Sequence, residues 1–244
     1  MKVLIVIAHC DPNKNATAYR FANACKEALE AAKNEVKITD LVHEGFDRTA
    51  TPDDFKKIAD PNKFNYIGNQ LPADNLCETI RKQQELIGWC DHVVVIAPMY
   101  FFRLPACLYA WFERCFTIGF AFGKETMEKG PLKGKKASII ITAGGTLAHF
   151  ASRGYAPLES ILYSSTYQFR YCGFTATRTL LYPSANSPEV VEKEGEYIEK
   201  LKKAIVKLDS WPLLPILHGK PQEGEKNEPE IFAQLEPLLV DDLL

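Results

Sequence analysis

Three short stretches of this 244-residue chain carry groups whose spacing suits a flat ligand with an anionic tail. The first runs from His9-Cys10-Asp11-Pro12 through Asn15 and Thr17, directly after an apolar run and before a helical pattern. At such a junction the unpaired N–H groups and the helix dipole favour a phosphate, to which His9, Asn15 and Thr17 can add hydrogen bonds. Capping of the helix by Asn15 or Thr17 would use the same residues. The second stretch, Pro98-Met99-Tyr100-Phe101-Phe102, sets three aromatics after another apolar run, where rings bury poorly unless they stack on a flat ligand or a partner chain. The third, Thr142-Ala143-Gly144-Gly145, pairs two glycines whose missing β-carbons let backbone N–H groups approach a ligand.

The surrounding pattern says how these stretches could meet. Lys2 to Ala8, Asp91 to Ala97 and Lys136 to Thr142 are near-continuous β-branched runs, as expected of strands buried on both faces of a parallel sheet. Shorter strands are expected at Glu35 to Leu41 and Phe174 to Leu181. Apolar residues at helical spacing (Phe21, Cys25, Ala28, Leu29, Ala32, then Leu108, Phe112, Cys115) separate them, with further helices at Asn75 to Trp89, Pro157 to Tyr171 and Pro188 to Leu208. Alternation of this kind predicts an α/β fold: a doubly wound, five-stranded parallel sheet of order 2-1-3-4-5 with helices on both faces, flavodoxin-like. Ligands of such sheets sit beyond the carboxyl ends of the strands, which is where all three stretches fall. A flavin has the required flat ring and phosphate. Val42 to Asp74 is too long for a plain connection and is expected to fold over something. One domain over residues 1–217 and a polar tail or dimer arm over 218–244 complete the expected organisation.

Several other functions fall away. The 29 basic and 31 acidic residues leave a net charge of −2, which gives no field for gripping a nucleic acid. The strongest apolar stretch, Val93 to Phe102, contains a proline and is about half the ~20 residues a membrane helix needs, so a cytoplasmic protein with no transmembrane segment is expected. No G-x-G-x-x-G follows the first strand, and Gly130 to Lys136 has neither the spacing nor the following helix of a P-loop. The seven cysteines lack any C-x-x-C pair, and His43, His92 and His218 stand alone, so neither a disulfide framework nor a metal site is expected. Cys10, beside the first loop, is expected to be a buried inert thiol.

The segment Pro98 to Gly145 carries LPACLYAWFERCF (Leu104 to Phe116), GFAF (Gly119 to Phe122), KGPLKGKKA (Lys129 to Ala137) and ITAGG (Ile141 to Gly145). AHCDP (Ala8 to Pro12), DPNKFNY (Asp60 to Tyr66) and YCGF (Tyr171 to Phe174) accompany them. In order and spacing the chain from Lys2 to Leu217 resembles the flavin-dependent NAD(P)H:quinone reductases of the DT-diaphorase type. That resemblance implies a homodimer with active sites at the subunit interface. It also implies noncovalent FAD and two-electron, ping-pong transfer from NADPH or NADH to a quinone in the same pocket. By the same resemblance His9 through Thr17 hold the pyrophosphate, Asn65 stands near the cofactor, and Pro98 to Phe102 line the flavin ring, with Phe101 and Phe102 as substrate floor. Thr142 to Gly145 donate backbone hydrogen bonds to the ring, Phe122 closes the pocket from the partner subunit, and Glu113 and Arg114 lie on a helix near the interface.

Departures from the family are equally specific. Phe150 and Ala156 stand where the mammalian members place a tyrosine and a histidine that relay charge from the reduced flavin. Neighbouring His149, Arg153 and Tyr155 are the substitutes within reach, and Tyr155 with the Gly144 and Gly145 amides is the favoured set, His149 and Phe150 being expected against the substrate. In the phosphate loop Lys14 and Ala16 replace a serine and an asparagine, and Glu192 replaces an arginine. FMN, and with it azo- or nitro-reductase activity, is therefore the alternative to FAD. A flavin-containing regulatory or electron-carrier subunit is a second alternative.

Overall fold

The computed structural model describes residues 1–216 and 225–244; Leu217 and His218, where the tail was expected to begin, lie outside the described residues. Strand β1 (Lys2–Ile7) leads into helix α1 (Thr17–Ala31), then β2 (Glu35–Asp40), α2 (Glu78–Trp89), β3 (His92–Pro98), α3 (Ala106–Cys115) and β4 (Lys136–Thr142). All pairings are parallel and the order is β2-β1-β3-β4 followed by the fifth strand, as the alternation predicts.

The β-branched runs form strands because each residue buries on one face or the other. Leu4 and Val6 join the core under α2 and α3, while Val3, Ile5 and Ile7 join the core under α1 and the last long helix. Each such residue contributes about 1.5–3 kcal/mol. Register aligns the functional ends: Ile7 pairs with both Asp40 and Ile96, and Pro98 pairs with Thr142.

The expected strand from Phe174 to Leu181 is broken into β5 (Thr175–Ala176) and β6 (Leu180–Tyr182). Ala137 pairs with Ala176 and Ile140 with Leu180, so three steps along β4 face four along the partner. That extra residue is a bulge. The Thr179 amide there donates not to the ladder but to Glu159 Oε1 at 2.6 Å, and its hydroxyl donates to Oε2 at 2.9 Å. Two expected helices are likewise divided. Leu162 separates α5 (Leu158–Ile161) from α6 (Tyr163–Tyr171), and Lys193 separates α7 (Pro188–Glu192) from α8 (Glu194–Ile205). A further short helix, α4 (Leu147–Phe150), follows β4 directly.

The long segment after β2 folds over the start of α2 and the end of α3 in short 3₁₀ turns. Buried Arg114 pins it, donating from NH2 to Asp54 Oδ1 at 2.9 Å and from NH1 to the Gly45 carbonyl at 2.8 Å. Residues 225–244 return to the same core. Helix α9 (Glu228–Phe232) buries Phe232, Leu238 bridges in parallel to Leu180, and Val240 packs beneath α8. Among the described residues no helix is long and apolar enough to cross a membrane, and no group of His, Cys, Asp and Glu could hold a metal ion.

Candidate functional site

The loop between β1 and α1 is organised from within by Asp11. Its Oδ1 accepts from the Asn13 amide at 2.9 Å, and its Oδ2 from the Asn15 and Ala16 amides at 2.7 and 2.9 Å. These bonds, the Asn13 amide foremost, hold the Asp11 carboxyl below the usual carboxylate range. Ala16 is the N-cap of α1 and no side chain among the described residues caps the helix, so the capping expected of Asn15 or Thr17 is not made. The Asn15 amide is taken by Asp11, while the Thr17 hydroxyl donates to Glu194 at 2.9 Å. His9 Nδ1 accepts from the Asp11 amide at 2.9 Å, which leaves Nε2 to carry the proton of the neutral ring. Burial lowers the His9 pKa and keeps that ring neutral near pH 7.

Beyond β3 the chain makes a two-residue turn. Tyr100 and Arg103 exchange backbone bonds of 2.9 and 3.2 Å around Phe101 and Phe102, whose φ angles are +48° and +63°. Positive φ at both central positions marks a type I′ turn, which favours Asn-Gly rather than bulky residues. Each phenylalanine held there costs about 1–3 kcal/mol, a strain that clusters at functional positions. Phe101 nevertheless stands 93% exposed. His149 lies flat against Phe102, centroids 5.7 Å apart and planes 16° apart.

Beyond β4, the Ala143 amide is held by the Tyr182 carbonyl at 2.9 Å. Among the described residues the Gly144 and Gly145 amides meet no protein acceptor. The three loops frame two cavities that share Met99, Ala143 and Gly144. The larger, about 590 Å³, is lined by His9, Ala16, Thr17, Ala18, Arg20, Pro98, Met99, Tyr100, Thr142, Ala143, Gly144, Ala185, Asn186, Val191 and Glu194. The smaller, about 260 Å³, adds Phe101, Phe102, Gly145, His149 and Phe150. Free amides, a neutral histidine and aromatic walls in joined clefts fit a flavin nucleotide in the larger and its reaction partner in the smaller.

A family model described as Flavodoxin-like fold matches residues 1–205. The chain is 32% identical over 203 residues to NAD(P)H dehydrogenase [quinone] 1 of Cavia porcellus, spanning 79% of this chain and 72% of that protein. The chain belongs to the flavodoxin-like NAD(P)H:quinone oxidoreductase family. A Klebsiella pneumoniae structure assigned as a quinone reductase superposes with a TM-score of 0.80 at 24% identity, covering 91% of both chains. An FMN-dependent NADH-azoreductase of Bacillus anthracis, solved with FMN, shares the fold at a TM-score of 0.58 and 14% identity, covering 85% of this chain and 99% of that one.

Within this family member, the structure gathers His9, Thr17, Pro98 to Phe102, Thr142 to Gly145, His149 and Phe150 around the two cavities. It leaves Asn15, Asn65, Phe122 and Tyr155 outside their linings. Asn65 Oδ1 is engaged by the Gly68 amide at 3.0 Å within its own turn. Tyr155 is 93% exposed at the rim, its ring 5.5 Å from that of His149. Phe122 lies on a separate apolar groove with Phe112, Phe116 and Tyr171, and Glu113 reaches the same groove while Arg114 is buried away from it. Cys10 is exposed rather than buried, its Sγ 3.7 Å from the Tyr100 hydroxyl. Burial and Cys10 together push the Tyr100 pKa up to about 12.

Sequence reasoning placed Asp11 in the first stretch without giving it a role, and it missed Arg20 and Glu194. Arg20 lies one turn into α1, where its NH2 donates to Glu194 Oε2 at 2.8 Å and to Thr17 Oγ1 at 3.0 Å, its Nε to Glu194 Oε1, and its NH1 to the Asn15 carbonyl. Arg20 brings a cation from α1 to the wall of the larger cavity. The only signal was the helical offset from Thr17 to Arg20; nothing in the sequence paired Arg20 with a residue 174 positions away.

Proposed function

We propose that this chain is an NAD(P)H:quinone oxidoreductase that holds FAD noncovalently and works by a ping-pong scheme. The observation that carries the reading is the strained Phe101-Phe102 turn, which offers two aromatic faces to the smaller cavity where that cavity adjoins the larger one of nucleotide size. His9 Nε2, the first amides of α1 and Arg20 would hold the phosphates, and Pro98 to Tyr100 with Thr142 to Gly145 would line the ring. Bound there, a flavin supplies a ring that a nicotinamide reduces and a quinone reoxidises in successive two-electron steps.

The chain's own residues do the rest. The Gly144 and Gly145 amides offer donors to the charge that a reduced ring carries, without a proton having to move. Phe150, 2% exposed, keeps water from that edge, and His149 stacked on Phe102 is the titratable side chain lining the smaller cavity. Tyr155 belongs to the rim, where it meets an acceptor as it enters.

A second copy of the chain is part of this reading. The groove of about 360 Å³ lined by Phe112, Phe116, Phe122, Tyr167 and Tyr171 contains Gln168, whose Oε1 is buried with no partner among the described residues. A donor from another subunit would satisfy it. Purified protein should release FAD on heating, bleach with NADH or NADPH under anaerobic conditions, and recover its colour on adding a quinone. Released FMN would move the protein to the azoreductase side of the fold, and no bound flavin after soaking with both would overturn the reading.

A further inference from the structure

The larger cavity ends in an ion pair. Arg20 and Glu194 both line it, and Glu194 takes two donors of the guanidinium and the Thr17 hydroxyl. Each partner secures the charge of the other: Glu194 raises the Arg20 pKa, and Arg20 lowers that of Glu194. Arg20, the one cation among the described residues that line the cavity, is therefore matched by a carboxylate, and the remaining oxygen lone pairs of that carboxylate can only accept.

The loop on the other side of the cavity is equally short of positive charge. Asp11 already occupies the Asn13, Asn15 and Ala16 amides that would otherwise cradle a phosphate. His9 is neutral, and Lys14, which does not line the cavity, stands 3.6 Å from Asp40. A terminal phosphate monoester carries about −1.5 to −2 at pH 7, whereas each phosphate of a pyrophosphate diester carries less. Ribose hydroxyls, by contrast, are donors that a carboxylate accepts.

We propose that the Arg20–Glu194 pair selects the flavin nucleotide, accepting the diester phosphates and ribose hydroxyls of FAD and rejecting the phosphate monoester of FMN. This inference rests on the flavin reading above. Arg20 supplies attraction to either nucleotide, and Glu194 supplies the discrimination by charge repulsion against one and hydrogen bonding to the other.

The test is equilibrium binding of FAD and of FMN to the flavin-stripped full chain, followed by quenching of flavin fluorescence, for wild type, Glu194→Gln and Arg20→Gln. Wild type should bind FAD at least about tenfold tighter than FMN, a difference of about 1.4 kcal/mol. Glu194→Gln should close most of that gap by tightening FMN, and Arg20→Gln should weaken both. A gain in FMN affinity also guards against misfolding, since a damaged site does not bind a ligand better. An unchanged FAD to FMN ratio in Glu194→Gln overturns the selection and leaves the flavin reading intact. Failure of wild type to bind either nucleotide overturns both.

Discussion

A β-carbon on Gly145 would stand 2.8 Å from Cε2 of Phe150, so the glycine loop after β4 and the short helix α4 interlock with no room for another atom. Phe150 is 2% exposed and lines the smaller cavity, so its ring cannot retreat without opening that wall. Gly145→Ala should therefore lower kcat/KM for a quinone by about tenfold, or about 1.4 kcal/mol. The double variant Gly145→Ala with Phe150→Leu should recover much of the loss, because the smaller side chain removes the clash. Steady-state kinetics on the two single variants and the double checks this; additive losses would show that the contact is not the cause.

Phe101 sets stability against use. Its φ of +48° suits glycine, and its side chain is 93% exposed, so the fold gains little from the ring it carries. Phe101→Gly should raise stability by about 1 kcal/mol, read as a higher Tm, while raising KM for the acceptor. A lower Tm would mean that the ring packs on something in solution, and an unchanged KM would remove Phe101 from the acceptor surface.

The parts of the fold legible in the sequence are those where burial alone dictates residue type. Lys136 to Thr142 reads as a strand because both faces are covered, and the structure returns the same limits. Phe174 to Leu181 reads as one strand because nothing local marks the bulge; it is set by Glu159, a buried carboxylate twenty residues earlier in the chain. Arg114 shows the same limit. Its helix suggests an interface, but its guanidinium is spent on Asp54, sixty residues away, and pins the long segment after β2 that the sequence expected to fold over something. In the site, strand ends located the three loops, since topology places them together. Arg20 and Glu194 were not legible, because hydrogen bonding between two helices 174 residues apart leaves no periodic trace.

Two buried groups oppose each other in the dependence of stability on pH. His92 opens β3, its Nε2 2.8 Å from Ser138 Oγ on β4 and its Nδ1 without a partner among the described residues, and burial pushes its pKa down to about 3. As pH falls below about 6.5 the unfolded chain binds a proton the native chain refuses, so this group removes up to about 1.4 kcal/mol per pH unit. Glu159, pushed up to about 7 by burial, works in the other direction. Its native form keeps a proton that the unfolded chain releases above about 4.5, so stability is lost as pH rises toward 7. The contributions cancel between pH ~4.5 and ~6.5. His92→Gln should therefore unmask a fall in stability with rising pH across that window, and Glu159→Gln a rise. Urea unfolding at half-unit pH steps checks both slopes; parallel curves for wild type and both variants would refute the opposition.

The returning C-terminal segment also reaches the loop beside the smaller cavity. Glu236 accepts from the Ser152 amide at 3.3 Å and from the Ser152 hydroxyl, while the Arg178 guanidinium donates to its carbonyl. Ser152 belongs to the loop between α4 and α5, which also carries Tyr155, and a tight turn at Gly154 closes that loop, where a β-carbon would stand 2.4 Å from the Ala148 and His149 carbonyl oxygens. The Gly154 turn fixes the loop's shape, and Glu236 fixes where that shape sits against the sheet. Because the carboxylate is solvent-exposed, its removal should not unfold the protein, and the effect should fall on acceptor binding. Glu236→Ala should raise KM for a quinone about two- to fivefold with kcat within about twofold, since the loop is displaced and not destroyed. Ser152→Ala should do the same, and the double variant should add little, because both remove one interaction. A KM at the wild-type value in all three variants would show that Gly154 and its neighbours hold the loop without help from the C-terminal segment.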